Sequence, residues 1–442
     1  MHIKNIRLIF NGPVFTILYG IYIYILLTLI SNLFNGVASD FILPITLTIS
    51  LIYLIATIFE MLIPNPVTSI LAFFSEIFKG TSVYLILFTI AIYIIRFILT
   101  FVQITIPEWV IATLLFGVVF LIAIYAVYNA DKIRIKNIEL EFSNLEKPLK
   151  FIHISDLHIG AIRKNRLLKN IVKEVNKICD DNKDKNSIDD ENGKDNGNNE
   201  DNRNSNDNVN SKDNKNSEDN KNSDDSRNSK NNGNNNDDEN NIDFLVITGD
   251  LADGSCPIYP NSFEHLAESK VPIYFAFGNH DFYPGIDNVL KATDVANIKV
   301  LYNEMVDIKG TQLIGIPFGS FGFDNRIIRK NAFNFDKSSD KYNNGFDFES
   351  IDEFKTSILL HHVPVSWDLF KELGVDLVLS GHTHGGQLFP FNFIVKKIFP
   401  YFRGLYNDDG KYLYVSEGIG TLTPPMRLGT SAEMVVFHLK SK

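Results

Sequence analysis

Short clusters of aspartate, histidine and asparagine recur from residue 156 onward, and each follows an apolar run. They are Asp156-Leu157-His158, Gly249-Asp250, Gly278-Asn279-His280-Asp281, His361-His362-Val363-Pro364 and Gly381-His382-Thr383-His384. In the patterns D-x-H and H-x-H the two donors lie two residues apart, so on an extended chain they point to the same side and can reach one metal ion or two adjacent ions. Carboxylate, imidazole and amide oxygen donors together suit Mn, Fe, Zn or similar divalent ions. The spacing therefore predicts a metal site.

A single cluster of this kind is weak evidence, because D-x-H occurs by chance in many proteins. A lone histidine at the end of a strand is more often a core residue than a ligand, and His153, His265 and His438 are interpreted that way. The adjacent His361 and His362 face opposite ways on an extended chain, so only one of them can reach the site. The ordered set of all five clusters carries the prediction.

The apolar runs before the clusters predict the strands that position them. KFIHIS, FLVITG, PIYFAFG, TSILL and DLVLSG are apolar on both faces and alternate with helical runs. Strands of this type are covered by helices or packed against a second sheet. Ligands of open α/β sheets collect at the carboxyl ends of strands. The sequence therefore predicts one layered α/β domain over residues 148–442, with the clusters at one edge.

Taken in order, S-D-L-H-I-G, T-G-D, G-N-H-D, L-L-H-H-V-P and G-H-T-H-G-G-Q resemble the calcineurin-like metallophosphoesterase superfamily. The set is most similar to the bacterial branch of that superfamily that carries several N-terminal transmembrane helices. The resemblance covers Lys150 to Lys440 apart from an Asn-rich tract, and it includes LYVSEGIGT and PPMRLG. It implies a four-layer αββα sandwich with a dinuclear metal centre on one edge.

The resemblance also implies a role for each cluster residue. The residues similar to the ligands of the first metal are Asp156, His158 and His384, and those similar to the ligands of the second are Asn279, His362 and His382. Asp250 stands in the position of the bridging carboxylate, and His280 in that of the catalytic histidine, which binds no metal. The family pattern H-x-P selects His362 over His361, which is assigned to packing or to support of a ligand.

The implied reaction is hydrolysis of a phosphoric ester. Two divalent ions about 3.5–4 Å apart hold a bridging hydroxide that attacks phosphorus in line. His280 would protonate the leaving oxygen or steady the transition state. Asp281 either orients His280 or holds a turn, and Arg163 and Arg427 are weaker candidates for bidentate contacts with a phosphate.

The sequence of residues 1–130 predicts an all-α transmembrane region. A spanning helix needs about 20 mostly apolar residues, and four stretches meet this requirement. The stretches that qualify are Val14–Leu33, Phe41–Leu62, Val83–Val102 and Trp109–Val127. A removable signal peptide is a poor alternative, because it would need only one short apolar region and several follow here. The segment VTSILAFFSEIFKG is too short and too polar to span and is expected at the interface. Arg96 is interpreted as reaching the headgroups from near the end of its helix, with a functional intramembrane charge as the alternative.

Loop charges predict the orientation of this region. The basic residues that flank it are Lys4, Arg7, Lys132, Arg134 and Lys136, whereas two of the loops between spans carry the acidic residues Asp40 and Glu108. Positive charge favours the cytoplasmic side. With an even number of spans both ends lie on that side, so the catalytic domain is expected on the cytoplasmic face.

Residues 180–241 consist almost entirely of Asn, Asp, Lys, Ser, Glu and Gly. Such a composition cannot bury enough apolar surface to offset chain entropy, so the tract is expected to be a disordered insertion. It follows the helical pattern LLKNIVKEVNKIC and precedes the strand IDFLVITGD, at a connection where insertions are tolerated. A solvated insertion is the favoured interpretation, with a regulatory role as the alternative.

Composition narrows the class of function. The formal net charge is −10, which disfavours nucleic-acid binding, and two cysteines do not make a disulfide framework. The favoured function is hydrolysis of a phosphodiester or pyrophosphate bond, with a lipid-linked substrate suggested by the membrane region. The alternative is a membrane sensor or scaffold whose metal domain binds a ligand without turning it over.

Overall fold

The computed structural model describes residues 3–62, 65–160, 165–194, 241–254, 256–319 and 346–442. Arg163 and residues 195–240 lie outside these ranges, so the sequence predictions for them stay predictions.

Four N-terminal helices have the length and composition of membrane spans. They are α1 (Ile3–Leu33), α2 (Ile42–Leu62), α3 (Pro66–Thr100) and α4 (Glu108–Asp131), the last with a π-helical segment at Thr113–Val118. Within the described ranges these are the helices long and apolar enough to cross a membrane. Large apolar side chains such as Phe97 and Phe120 are exposed on their outer faces, and such surfaces mark contact with lipid or a partner.

The segment expected at the interface forms the first half of α3, a single helix of 35 residues. Asn65 caps its start, because its side chain accepts hydrogen bonds from the backbone N–H groups of Val67 and Thr68. Pro66 fits the first helical position, where its missing N–H leaves no bond unmade. A helix of this length extends about 50 Å, whereas the hydrocarbon core is about 30 Å thick. Helix α3 is therefore longer than the hydrocarbon core is thick.

Arg96 lies near the C-terminal end of α3, as the first interpretation expects. Its Nη1 donates to the carbonyl oxygen of Leu33, 2.9 Å away, at the last residue of α1. A guanidinium there stabilises the partial negative charge of the helix end. The charge is thus located at the edge of the span and not at its centre.

Two mixed sheets form the domain that carries the predicted site, within the described residues. The first has the order β1-β12-β2-β3-β4-β5, with β1 (Ile133–Phe142), β2 (Leu149–Ile154), β3 (Phe244–Thr248), β4 (Ile273–Ala276), β5 (Ile298–Val300) and β12 (Ala432–Ser441). The second has the order β10-β11-β9-β8-β7-β6, with β6 (Glu304–Ile308), β7 (Thr311–Ile316), β8 (Ser357–His361), β9 (Leu377–Ser380), β10 (Gly404–Asp408) and β11 (Lys411–Val415). Strands β2 to β5 run parallel, and so do β7, β8, β9 and β11.

The sheets pack face to face, with helices on both outer faces. The helices are α5 (Asn165–Lys194) and α6 (Ile286–Val295) on the first sheet and α7 (Trp367–Glu372) on the second. Buried side chains from both sheets fill the core between them, where the rings of Phe151 and Phe244 stack with centroids 5.0 Å apart. The predicted four-layer αββα fold is confirmed. The helices and the facing sheet cover both faces of each sheet, as apolar strands of this kind require.

Two boundaries differ from the sequence prediction. Strand β1 begins at Ile133, before the expected residue 148, and belongs to the first sheet because it pairs in parallel with β12 along its whole length. Helix α5 continues to Lys194, past the Asp180 where the insertion was expected to begin. Asn182 explains part of this extension, because it is buried and its Oδ1 accepts from Lys150 Nζ at 2.8 Å.

Candidate metal centre

The predicted site residues lie together at one edge of the sandwich, in the loops that follow strands. Asp156 follows β2, Asp250 follows β3, Asn279 follows β4, His362 follows β8 and His382 follows β9. Carboxyl ends of neighbouring parallel strands meet at one edge, so clusters far apart in sequence converge there.

The first group of donors consists of Asp156, His158 and His384, all buried. The Nε2 atoms of the two histidines are 3.0 Å apart, and His384 Nε2 is 3.4 Å from Asp156 Oδ1. These atoms lie within 4.8 Å of one another and could hold one ion. The structure thus brings together the three residues assigned to the first metal.

The second group consists of Asp250, His362 and His382, with Asn279 beside them. Asp250 Oδ2 is 3.1 Å from His362 Nε2, and Asn279 Oδ1 is 2.9 Å from His382 Nδ1. Asp250 Oδ2 is also 3.7 Å from His158 Nε2, in the first group. One carboxylate thus reaches both groups, which is the position expected of a bridging ligand.

The donor chemistry fits divalent cations. His362 Nδ1 lies 2.9 Å from the carbonyl oxygen of Thr248, to which it can donate its proton. Its buried Nε2 then faces the group, 3.1 Å from Asp250 Oδ2. A second partner that fixes the tautomer and ring orientation is the usual arrangement of a metal-binding histidine.

Electrostatics within the cluster agree with this fit. Burial lowers the pKa of His158 to about 3 and that of His384 well below its usual value, so both rings are neutral and can ligate. Burial alone would raise the pKa of Asp250, but His362 and His280 beside it hold it well below its usual range. Burial opposes the charged form of His362, yet Asp250 raises its pKa to about 10. A positive charge is thus strongly favoured beside Asp250.

Five of the proposed ligands have left-handed backbone conformations. They are Asp156 (φ 55°), His158 (φ 48°), Asp250 (φ 52°), His382 (φ 71°) and His384 (φ 50°). The shared direction of each D-x-H and H-x-H pair therefore comes from bent loops, not from the extended chain that the sequence argument assumed. A left-handed conformation of a non-glycine residue destabilises the fold by about 1–3 kcal/mol, and such residues concentrate at functional sites.

His280 lies at the rim of the cluster and is partly exposed. Its Nδ1 is 2.6 Å from the carbonyl oxygen of Asp253, and its ring meets that of His158 edge-on at 4.7 Å. Burial opposes its charged form, but Asp250 and the Asp253 carbonyl together raise the pKa of His280. The Asp253 carbonyl is therefore the group that orients His280, a role that the sequence did not indicate.

Asp281 holds the turn and does not orient His280. Its carboxylate accepts backbone N–H bonds from Asp250 at 2.8 Å, Ala252 at 2.7 Å and Gly278 at 2.8 Å. These bonds tie the loop after β3 to the loop after β4. The structure thus favours the second of the two roles considered for this residue.

Arg427 is not a phosphate ligand, because its side chain is fully buried. Its guanidinium donates to the carbonyl oxygens of Glu417, Gly418 and Gly420, and Nη2 lies 3.4 Å from His384 Nδ1. The residue supports a proposed ligand from behind. From the sequence alone, an arginine near such a site suggests anion binding. Its burial, which only the structure shows, identifies the supporting role instead.

Two other histidines lie in the core, whereas His265 and His438, also interpreted as core residues, are half-buried. His361 projects to the opposite face of β8 from His362, and its ring packs against Phe370 at 5.3 Å. His153 is buried, with Nε2 2.8 Å from Thr248 Oγ1.

Comparison with known proteins agrees with this geometry. The sequence profile of the calcineurin-like phosphoesterase family matches residues 149–386, more than half of the chain. An uncharacterized metallophosphoesterase of Campylobacter jejuni is 28% identical over 331 residues, which cover 72% of this chain and 67% of that protein. An uncharacterized metallophosphoesterase of Helicobacter pylori is 28% identical over 313 residues, covering 70% and 64%.

The chain therefore spans about two thirds of the length of these bacterial relatives. A Bos taurus protein named as a transmembrane protein with a metallophosphoesterase domain is 31% identical over 211 residues, which cover 45% of this chain and 46% of that protein. The extent of the profile match, over the same residues that carry the cluster, decides the assignment. The chain belongs to the calcineurin-like phosphoesterase family.

Proposed function

We propose that this protein is a membrane-anchored phosphoesterase that works with two divalent metal ions. The observation that carries the proposal is the position of Asp250, whose Oδ2 lies 3.1 Å from His362 Nε2 and 3.7 Å from His158 Nε2. One carboxylate between two groups of nitrogen and oxygen donors is the arrangement that two ions require. The proposed ligands are Asp156, His158, His384, Asp250, Asn279, His362 and His382.

Bound divalent ions of this kind lower the pKa of water and offset charge on the phosphoryl oxygens. The contribution of the chain is to hold the donors and a proton. Because His280 Nδ1 faces the Asp253 carbonyl, Nε2 is the nitrogen left to donate to a leaving oxygen. His280 is therefore the proposed catalytic residue.

The proposed reaction is hydrolysis of a phosphodiester or pyrophosphate bond, and the proposed substrate that contains this bond is a lipid-linked molecule. Support for a lipid comes from the four apolar helices and from the contact of α3 and α4 with the catalytic domain. Tyr84 and Ala126 of these helices share a buried cluster with Leu388 and Met426. We also propose that the domain faces the cytoplasm and that the Asn-rich tract at residues 180–241 is a solvated insertion.

The test uses the purified full chain, an aryl phosphodiester and Mn²⁺. Chelation is expected to abolish hydrolysis and Mn²⁺ to restore it. Asp250→Asn should lose metal and activity together. His280→Ala should keep its metal content but lose turnover by about 10²- to 10⁴-fold, the usual contribution of general acid catalysis.

His361→Gln and His362→Gln form a matched pair of neighbouring histidines on opposite faces of β8. We expect metal loss in His362→Gln and retention in His361→Gln, measured by elemental analysis. Wild-type turnover in Asp250→Asn or His280→Ala would refute the proposed function.

A further inference from the structure

An apolar surface lies beside the metal centre on the segment Phe389–Ile398. This segment includes α8 (Phe391–Ile398), none of whose residues is buried. Its large apolar side chains point outward: Phe389 is 48% exposed, Phe393 59%, Ile394 54% and Ile398 59%. A helix packed on a domain normally buries its apolar face and exposes its polar one. Here the apolar face is the exposed one, which indicates an apolar partner.

The segment is connected directly to the metal centre. Gln387, three residues after the proposed ligand His384, leads into it. At its other end the ring of Phe399 meets that of His382, with centroids 5.4 Å apart. The apolar surface therefore borders the side of the site that holds the second group of donors.

The same segment lies against the membrane helices. The hydroxyl of Tyr84, on α3, donates to the carbonyl oxygen of Phe389 at 2.8 Å. Leu388 shares a buried cluster with Tyr84 and with Val119 and Ala123 of α4. Contact at these positions places the segment alongside the C-terminal half of α4, before that helix ends at Asp131.

A second loop brings the opposite side of the site to α3. Thr421, Leu422 and Pro425 line a small cavity next to His158. The adjoining loop packs so closely on α3 that a Cβ on Gly80 would lie 2.6 Å from Met426 Sδ and 2.7 Å from Pro424 Cγ. Both flanks of the metal centre thus rest on the same helix.

The outer side chains of α4 indicate where the membrane surface lies. Phe120, Leu121 and Ile124 are exposed and apolar, and they are followed by the exposed Tyr125 and Tyr128. Tyrosine is enriched at the level of the headgroups, where its ring is apolar and its hydroxyl is wet. Leu388, next to Phe389, shares its buried cluster with Val119 and Ala123, which precede these tyrosines in α4.

Charge on α8 fits the same surroundings. Lys396 and Lys397 are exposed in its last turn, next to Ile394 and Ile398. Apolar side chains combined with lysines are typical of helices that lie in the interface of anionic membranes.

We propose that Phe389 and α8 insert into the headgroup–acyl boundary of the leaflet from which α3 and α4 emerge. The metal centre then opens onto the membrane surface, where phosphate-bearing headgroups are concentrated. This contact is separate from catalysis, so it can be tested whether or not the proposed hydrolysis is found.

The test measures lipid contact with a fluorophore at single introduced cysteines. Ile394→Cys and Ile398→Cys place the label on the exposed face of α8, and Leu369→Cys, 40% exposed on α7, is the matched control. The native Cys179 and Cys256 are buried and should label little. The full chain is reconstituted in phosphatidylglycerol nanodiscs with and without lipids brominated near the headgroup.

Quenching by brominated lipid is expected to be several-fold stronger at both α8 positions than at position 369. Lys396→Gln combined with Lys397→Gln should reduce that quenching in anionic discs more than in phosphatidylcholine discs. Equal quenching at positions 394, 398 and 369 would overturn the proposal. Blue-shifted emission at α8 without lipid quenching would also overturn it, because protein and not lipid would then cover the face.

Discussion

At the scale of single residues, the candidate metal centre depends on neighbouring groups that are not proposed ligands themselves but hold the proposed ligands in place. Asp250 is held by backbone bonds, since its Oδ1 accepts from His280 N–H at 2.8 Å and its own N–H donates to Asp281. His384 has the buried guanidinium of Arg427 behind it. Two substitutions separate these supporting roles from ligation.

Gly278→Ala should abolish metal binding while leaving the fold intact. A Cβ at Gly278 would overlap Oδ1 and the backbone nitrogen of Asp250, and the backbone cannot move without shifting that loop. We expect metal content to fall by at least about tenfold, as when support of a ligand is lost. Gly117→Ala is the control, because its Cβ would meet only Thr113 at 3.9 Å. Full metal content in Gly278→Ala would contradict this account of the site.

Arg427→Lys should destabilise the protein by about 2–4 kcal/mol, because several buried carbonyl oxygens lose their donors. Lysine keeps the charge but cannot reach Glu417, Gly418 and Gly420 at once. Thermal unfolding of the reconstituted chain measures the effect. Arg403→Lys removes a partly exposed pair with Glu417 and should cost less than about 1 kcal/mol. Similar shifts in the two variants would show that the buried bonds of Arg427 are not the cause.

At the scale of elements, hydrogen bonds join α4 to the catalytic domain at the loop that supports the site. We call this contact the joint. The backbone N–H of Arg427 donates to Ala126, in α4, at 2.9 Å. Asn129 Nδ2, one turn later, donates to the carbonyl oxygens of Arg427 at 3.2 Å and Thr430 at 2.9 Å. The loop behind His384 is thus hydrogen-bonded to a membrane helix.

Asn129→Ala should weaken this joint by about 1–3 kcal/mol, because two buried carbonyl oxygens lose a partner. We expect a lower unfolding temperature and faster proteolysis of the 420–430 loop, detected by mass spectrometry of the fragments. Asn137→Ala, at an exposed position of β1, is the control. Unchanged proteolysis in Asn129→Ala would mean that the joint does not hold the loop.

At the scale of the whole molecule, four apolar helices and one αββα domain form a single packed unit. Met426 of the catalytic domain lies in the same buried cluster as Tyr84 and Val119 of the helices. The apolar helices therefore contact the loops around the candidate metal centre.

The proposed cytoplasmic orientation predicts a labelling pattern in intact cells. Val37→Cys lies in the exposed connection between α1 and α2, and Tyr259→Cys lies on the surface of the catalytic domain. A membrane-impermeant maleimide should label position 37 directly and position 259 only after permeabilisation. The unsubstituted chain, whose cysteines are buried, measures background. The reverse pattern would place the domain outside the cytoplasm.

Much of this protein could be predicted from local sequence. The clusters named the donor types, and the apolar runs gave the strands and the helices that could span a membrane. These signals are local, since a donor follows its strand by a few residues and a span is one continuous stretch. Strand β1 and helix α5 run past the boundaries expected at residues 148 and 180, because β1 pairs with β12 and Asn182 of α5 is held by Lys150.

The sequence by itself determined the chemistry of the donors, the strand order along the chain and the apolar spans. Only the tertiary structure decided which groups support the site residues: the Asp253 carbonyl behind the proposed catalytic His280 and the buried guanidinium behind the proposed ligand His384. It also decided that the segment at Phe389 meets Tyr84, a contact between residues 305 positions apart. The physical reason is that burial and hydrogen-bond partners are properties of packed elements, and residues this far apart in sequence leave no local pattern that predicts their contact.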